Sequence, residues 1–441
     1  MARIRTTMLG VGVFALLGAV AMPVASAHSR PANAPKITLT VAEWTNPPAI
    51  QATKLLDQEF QRLHPNVHIQ LIYAPTTGGA WGSMQRAQMA AHSVDVMAQF
   101  SISGNWPRPY MTGLQPSLLE QWINAGQITN MTNMPFVKKD FPAGEQMRLM
   151  GYKGKIWGVT LASYGRGGVF YNQSIFQRLH LAVPRTFSQL IHVCQVLKAH
   201  HITPFMVGAK DGWDQMITEG AIEQEIPHAQ AANFVKGLWT GRTTFANDPV
   251  FRKILTRYKM LSQYFEPNAF GEPYAPTPGL FAGGKAAMLV DGSWDGYTIH
   301  QANPKLHFSW FPLPMTNTVA KNNMQVAGDF SWVVPSWAPA KKMALQYVQF
   351  AAQPNHYHQW EDIVGAIPTE PQTHLNALPW MSTELKFLPH KQFEFSIPHP
   401  QQLGPQGYVL GDTAYLKPQG PYTIPQLLSV ATQQWLGAIN K

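Results

Sequence analysis

The chain holds 14 tryptophans in 441 residues, and several stand beside carboxylates or glycines in stretches without regular periodicity. Trp44 follows Glu43, and Trp81 ends the run from Ala74. Trp106 closes Ser101-Ile102-Ser103-Gly104-Asn105, and Trp213 lies within Asp211-Gly212-Trp213-Asp214. Trp294 sits in Asp291-Gly292-Ser293-Trp294-Asp295, and Trp332 comes three residues after Asp329. An indole face matches a flat patch of C–H bonds, and an ionised carboxylate accepts a hydroxyl hydrogen bond more strongly than a neutral acceptor does. The pairing suits a neutral, polyhydroxylated ligand. Glu43, Asp291, Asp295 and Asp329 are the candidate acceptors, with Asp291 and Asp329 preferred. Asp95 reads as a structural cap or turn residue.

Other chemistries find little support. There is no H-E-x-x-H, no G-x-S-x-G, no phosphate loop and no paired-cysteine zinc pattern. Gly283-Gly284-Lys285 is followed by Ala286 rather than the Ser or Thr of a nucleotide loop. His356 and His358, two apart on a helix, point to different faces and read as a solvated pair rather than metal ligands. The adjacent His200 and His201 are equally uninformative. Cys194 is the single cysteine, so no internal disulfide can form, and it reads as a buried helix residue. No cofactor, metal or catalytic residue is expected. The rival from another class is an exported glycoside hydrolase, whose two carboxylates would have to stand about 5 to 9.5 Å apart across a cleft.

Lys plus Arg outnumber Asp plus Glu by 33 to 24, but the excess is scattered, which argues against a nucleic-acid surface. Only 13% of residues are charged, against about 25% typically. Few carboxylates means few groups whose protonation would unfold the chain in acid, and 16 histidines would add positive charge there; an acidic habitat follows as an expectation. The chain opens with Arg3 and Arg5, an apolar run from Met8 to Met22 and Ala25-Ser26-Ala27, the order of a secretory leader. Cleavage is expected after Ala27. No cysteine lies nearby to carry a lipid, so a periplasmic or secreted protein is expected. Its length exceeds what one hydrophobic core usually fills, so two domains are anticipated.

The elements that must hold these residues are legible in outline. Lys36 to Ala42 alternates as a strand, Ala49 to Leu63 carries apolar residues at helical spacing, and Val67 to Tyr73 alternates again. Such a βαβ unit places binding loops at the carboxyl ends of its strands, here Glu43-Trp44-Thr45 and Ala74 to Trp81. A third strand is predicted over Val94 to Phe100, and a hairpin over Tyr152 to Gly158 with its turn at Lys153-Gly154. Val169 to Asn172 and Ser331 to Pro335 read as further strands. Thr186 with Gln189 reads as a capping box, Lys341 to Ala352 and Gln426 to Ile439 as helices, and Pro398 to Pro425 as irregular.

Four passages then resemble the family 1 extracellular solute-binding proteins. They are Tyr152-Lys153-Gly154-Lys155-Ile156-Trp157-Gly158-Val159, with Thr160 where proline is common; Tyr171-Asn172-Gln173-Ser174-Ile175-Phe176 continued by Pro184 to Leu190; Phe281-Ala282-Gly283-Gly284-Lys285-Ala286-Ala287-Met288 with Asp291-Gly292-Ser293-Trp294; and Phe311 to Pro314 followed by Asp329 to Pro335 and Gly365 to Pro368. The ordered set spans most of the chain. The resemblance implies an α/β, two-lobed periplasmic-binding-protein fold (type II-like), each lobe a sheet flanked by helices, joined by hinge strands. It implies a monomeric carbohydrate receptor that delivers its ligand to the permease of an ABC importer, without catalysis. Glycerol phosphodiester, polyamine or iron are the alternative solutes. The implied domains are 1–27 leader, 36–162 first lobe, 163–310 second lobe, 311–355 return to the first, and 356–441 mainly second. Trp294, Trp213, Trp332, Trp44, Trp81, Trp106, Tyr164, Asp291, Asp329 and Glu43 are the expected ligand contacts, Tyr164 from the hinge.

Overall fold

Asn46 shows how the sequence starts an element: its side chain accepts the N–H of Ala49 at 3.1 Å, and Pro47 and Pro48 occupy the first helical turn of Pro47–Leu63, where no N–H is needed. That helix links strands β1 (Ile37–Trp44) and β2 (Val67–Ala74), which pair in parallel. The structure, a computed structural model, describes residues 35–76, 79–102, 109–111, 116–141, 143–369, 378–387, 391–393 and 413–439. The expected leader and Trp106 lie outside the described residues.

The remaining strands are β3 (Val96–Gln99), β4 (Gly151–Tyr152), β5 (Lys155–Ile156), β6 (Val159–Arg166), β7 (Gly168–Asn172), β8 (Phe205–Met206), β9 (Met288–Asp291), β10 (Phe308–Pro312), β11 (Met324–Val333), β12 (Ile367–Pro368) and β13 (Lys391–Phe393). Two principal sheets result. One runs β12-β6-β11-β3-β1-β2, with β13 on β11, and the other runs β10-β7-β9-β8. β4 and β5 form the expected hairpin, and its turn residues Lys153 and Gly154 both have positive φ, 52° and 72°, the requirement of a tight two-residue connection.

Each sheet carries its own core. Leu39, Val41, Phe60, Trp332, Tyr347 and Trp360 fill the first; Phe176, Leu190, Cys194, Tyr258 and Trp435 fill the second. A smaller cluster of Phe170, Trp310 and Trp380 takes in Met324 and Val326 of β11 and so fastens the two. The fold is therefore the two-lobed α/β arrangement with sheets flanked by helices.

Chain crossings are concentrated at β6 and β11, which run antiparallel side by side in the first sheet. β6 passes through Gly167 (φ +60°) directly into β7 of the second sheet. The Leu313 N–H returns to the Gly167 carbonyl at 3.1 Å. The segment after 355 divides: the helix Pro354–Val364 packs Tyr357, Trp360 and Val364 into the first core and β12 pairs with β6. The helix Ile424–Ile439 packs into the second.

Two local expectations change on folding and a third holds. At Thr186 only half of the capping box forms: its hydroxyl accepts the Gln189 N–H at 3.2 Å, but the Gln189 side chain accepts from Arg185. His356 is buried rather than solvated; it packs on Phe350 at 3.7 Å and its Nδ1 lies 3.3 Å from Glu59. Asp95 caps as anticipated, accepting the N–H groups of Thr40 and Ala340 at 2.9 and 2.6 Å.

Candidate functional site

A cavity of about 450 Å³ opens where the two sheets meet. Its first-lobe wall comes from carboxyl ends of parallel strands: Trp44 at the end of β1 with Thr45 after it, Thr76 after β2, Phe100 and Ser101 after β3. This is where the βαβ argument places binding loops. Arg148 and Leu149 complete that wall. The hinge strands form the floor, with Tyr164 and Arg166 from β6 and Val326 to Asp329 from β11. Trp213, Tyr274, Trp294 and Asp295 line the second-lobe wall.

Tyr274 organises the second wall. Its ring stacks on Trp213 with centroids 4.5 Å apart, and its hydroxyl accepts the Trp294 indole N–H at 2.6 Å. The same oxygen lies 2.6 Å from Asp295 and 2.8 Å from Asp291. Trp294 then meets Trp213 and Tyr164 edge to face, each at 6.2 Å. Glycines make this crowding possible. A Cβ at Gly208 would lie 2.5 Å from the Tyr274 backbone.

Across the cavity Trp44 is sandwiched between Phe100 at 4.6 Å and Phe330 at 4.2 Å. Phe330 has φ +47° inside β11, a conformation that costs a bulky residue about 1 to 3 kcal/mol and persists only when its surroundings impose it. Here the N–H of Phe330 is held by the Asp329 carboxylate at 2.9 Å and its ring packs between Trp44 and Trp360. Burial pushes the Asp329 carboxyl up to about 7, against the opposing pull of that N–H and of Arg166. Arg166 also pairs with Glu219 at 3.2 Å.

Of the residues singled out in the sequence, Trp44, Tyr164, Trp213, Trp294, Asp295 and Asp329 border the cavity. Others do not. Trp332 is fully buried in the first core, stacked on Tyr347 at 5.3 Å, because its strand is covered on both faces. Trp81 lies behind Trp44, edge-on at 6.0 Å and 4% exposed. Glu43 points into the core, where Oε2 accepts the Thr53 hydroxyl at 3.0 Å and burial raises its carboxyl to about 8. Asp291 is fully buried behind Tyr274, so it faces the phenol and not the cavity. Tyr274, Arg148 and Phe100 are cavity residues that pattern reasoning passed over. Tyr274 sits in Pro273-Tyr274-Ala275-Pro276, whose prolines mark an irregular segment and nothing more.

Among the described residues, no three His, Cys, Asp or Glu side chains converge as a metal group, and no helix is long and apolar enough to cross a membrane. Two lobes on shared hinge strands, with an aromatic and hydrogen-bonding cavity between them, define the class of two-lobed solute receptors. The chain belongs to the bacterial extracellular solute-binding protein family, whose sequence model matches residues 45–355. It is 24% identical over 366 residues to a multiple sugar-binding protein of Streptococcus mutans serotype c, covering 81% of each chain. It is 22% identical over 360 residues to the melibiose/raffinose/stachyose-binding protein MelE of Bacillus subtilis, covering 79% of this chain and 78% of that one. The fold is similar to that of the solute-binding protein RafE in complex with raffinose, with TM-score 0.71 and 17% identity over 91% of this chain and 100% of RafE. A chitin oligosaccharide binding protein gives TM-score 0.71 at 19% identity, over 92% and 100%.

Proposed function

We propose that this protein binds a neutral carbohydrate, of one or several units, in the interlobe cavity and delivers it to the membrane permease of an ABC importer. The observation that carries this reading is Trp294: its indole N–H is already satisfied by Tyr274 and the ring borders the cavity, which leaves a π-face for sugar C–H bonds. Asp295 and Asp329 stand beside it as hydroxyl acceptors, and the buried Tyr164 hydroxyl has no protein partner among the described residues. The volume lies within the range of about 300 to 1,000 Å³ usual for small-molecule sites. Relatives named for sugars support the same ligand class.

Trp294, Trp213, Trp44, Tyr164, Asp295 and Asp329 are the contacts we assign, with Tyr274 added. The lining carries two arginines, Arg148 and Arg166, and two acids, Asp295 and Asp329, so it favours neither a polyanion nor a polyamine. The protein acts as a monomer outside the cytoplasm, after loss of a leader ending at Ala27, and catalyses no reaction. The first lobe holds 37–76, 79–102, 116–141, 143–166, 324–368 and 391–393, and the second holds 109–111, 168–312 and 413–439.

A thermal-shift and calorimetric panel of raffinose, stachyose, maltose and chitin oligosaccharides tests this. At least one should raise the melting temperature, since ligand at 100 times its dissociation constant adds about 2.7 kcal/mol. No shift with any sugar, or release of reducing sugar from the panel, overturns the reading.

A further inference from the structure

The oxygen of Tyr274 poses a proton-counting problem. It accepts one hydrogen bond, from the Trp294 indole at 2.6 Å. It has one proton of its own, yet carboxylate oxygens of both Asp291 and Asp295 lie within 2.8 Å of it. A phenol donates once and an ionised carboxylate donates never. With both acids ionised, one of these close oxygen pairs would hold no hydrogen. The Asp291 carboxyl has little else to meet: Oδ1 also accepts the Gly292 N–H at 2.7 Å, and Oδ2 is buried with no other partner among the described residues.

We propose that Asp291 and Asp295 hold a single extra proton between them, carried on Asp291, and that this proton fixes the Tyr274–Trp294 platform. Asp291 is thus a positioning residue that never reaches the cavity. Protonated, it donates to the Tyr274 oxygen, the phenol donates its own hydrogen to Asp295, and the Trp294 N–H keeps its acceptor. Losing the proton puts two carboxylates against one phenol, and the platform must shift to separate them. Burial first, and then the charge of Asp295, hold the Asp291 carboxyl well above the ordinary carboxylate range, in agreement with the hydrogen count.

The charged groups around the pair come from every neighbouring segment. Tyr164 faces Asp295 from β6, Glu384 lies against Ser293 from the 378–387 segment, and Asp211 accepts the Tyr274 backbone N–H. Arg148, Arg166 and Asp329 stand across the cavity. Burial raises Glu384 to about 8 and Asp329 to about 7, so both also titrate above the ordinary carboxylate range. Asp329 gains acceptor strength as pH rises, which opposes the effect at Asp291. Comparing each variant with the wild type at matched pH cancels these common contributions.

The inference rests on the carbohydrate reading for its affinity arm, and one readout is independent of ligand. Tryptophan near-ultraviolet circular dichroism of the apo protein should change as pH rises above the ordinary carboxylate range, and Asp291→Asn should remove that step because its amide donates like the protonated acid. Tyr274→Phe, which deletes the contested oxygen, should remove the step as well. With raffinose as probe, wild-type affinity relative to Asp291→Asn should fall roughly tenfold per pH unit once Asp291 loses its proton. Asp291→Ala should bind weakly at both ends. If the Asn variant titrates like the wild type, or binds raffinose weakly at every pH while the wild type binds well, the shared proton is wrong. If the wild type binds no raffinose, that sugar is excluded as ligand, and the apo comparison still decides the proton.

Discussion

Gly292 and the indole of Trp294 occupy one another's space: a Cβ on Gly292 would lie 2.0 Å from the ring. The ring therefore folds back over the backbone of its own turn, and only a residue without a side chain permits it. Gly292→Ala should push the indole toward the cavity and break its hydrogen bond to Tyr274. We expect a stability loss of about 1 to 3 kcal/mol, the usual cost of overpacking, with a larger loss of sugar affinity. Chemical denaturation and calorimetry of the variant measure both. Unchanged affinity would remove Trp294 from the site.

Two tryptophans from one sequence-level set should separate on substitution. Trp332→Ala opens a void in the first core and should cost about 3 to 5 kcal/mol. Trp294→Ala removes a half-buried ring at the cavity and should lower apo stability much less, while abolishing sugar binding. Equal stability losses in the two variants would contradict these placements.

Stability should rise as pH falls from about 8 toward the ordinary carboxylate range. Burial raises Glu43 and Glu384 to about 8, and Asp57, Glu266 and Asp329 to about 7. A carboxyl whose folded value exceeds its unfolded value binds its proton more tightly in the fold. Its contribution is complete below the unfolded value near 4 and is lost as pH climbs through the folded one. Glu225, lowered by Lys253 and Arg257 despite its burial, works in the opposite sense, but it is outnumbered. Melting temperatures across a pH series should thus be higher near pH 5 than near pH 9, and Glu43→Gln should flatten the alkaline decline. A melting temperature that climbs with pH would refute this balance.

Closure should be visible in solution. Tyr297 of the second lobe donates to Gln51 of the first at 2.6 Å, and Gln325 of β11 donates to the Gly220 carbonyl at 2.9 Å. With a bound sugar, small-angle scattering should show a smaller radius of gyration than without it. Gly167→Ala, which forces a side chain into positive φ at the crossing, should weaken binding by disturbing that hinge. A scattering profile that is unchanged at saturating sugar would count against hinge closure.

Periodicity alone determined much of this protein. Alternation marked β1 and β2, helical spacing marked the helix between them, and Lys153-Gly154 marked a turn whose positive φ values only a few residue types tolerate. These signals are local, since each depends on a residue's own backbone preference or on neighbours a few positions away. The placement of the first-lobe loops at strand ends follows from the same local pattern through βαβ handedness.

Tertiary structure decided which aromatic and acidic residues face the cavity. Trp332 and Trp44 are both strand tryptophans beside acidic segments, yet β11 is buried on both faces at Trp332, whereas β1 delivers Trp44 to its open carboxyl end. Asp291 and Asp295 differ by four positions and one turn, and that turn sends one behind Tyr274 and the other to the cavity wall. Tyr274 itself has no pattern to betray it, because an irregular Pro-bounded segment has no period. Its role comes from the groups that converge on its hydroxyl, Trp294, Asp291 and Asp295, and from Trp213, brought against its ring from elsewhere in the chain. Such convergence depends on distances between residues far apart in sequence, and only the packed chain sets them.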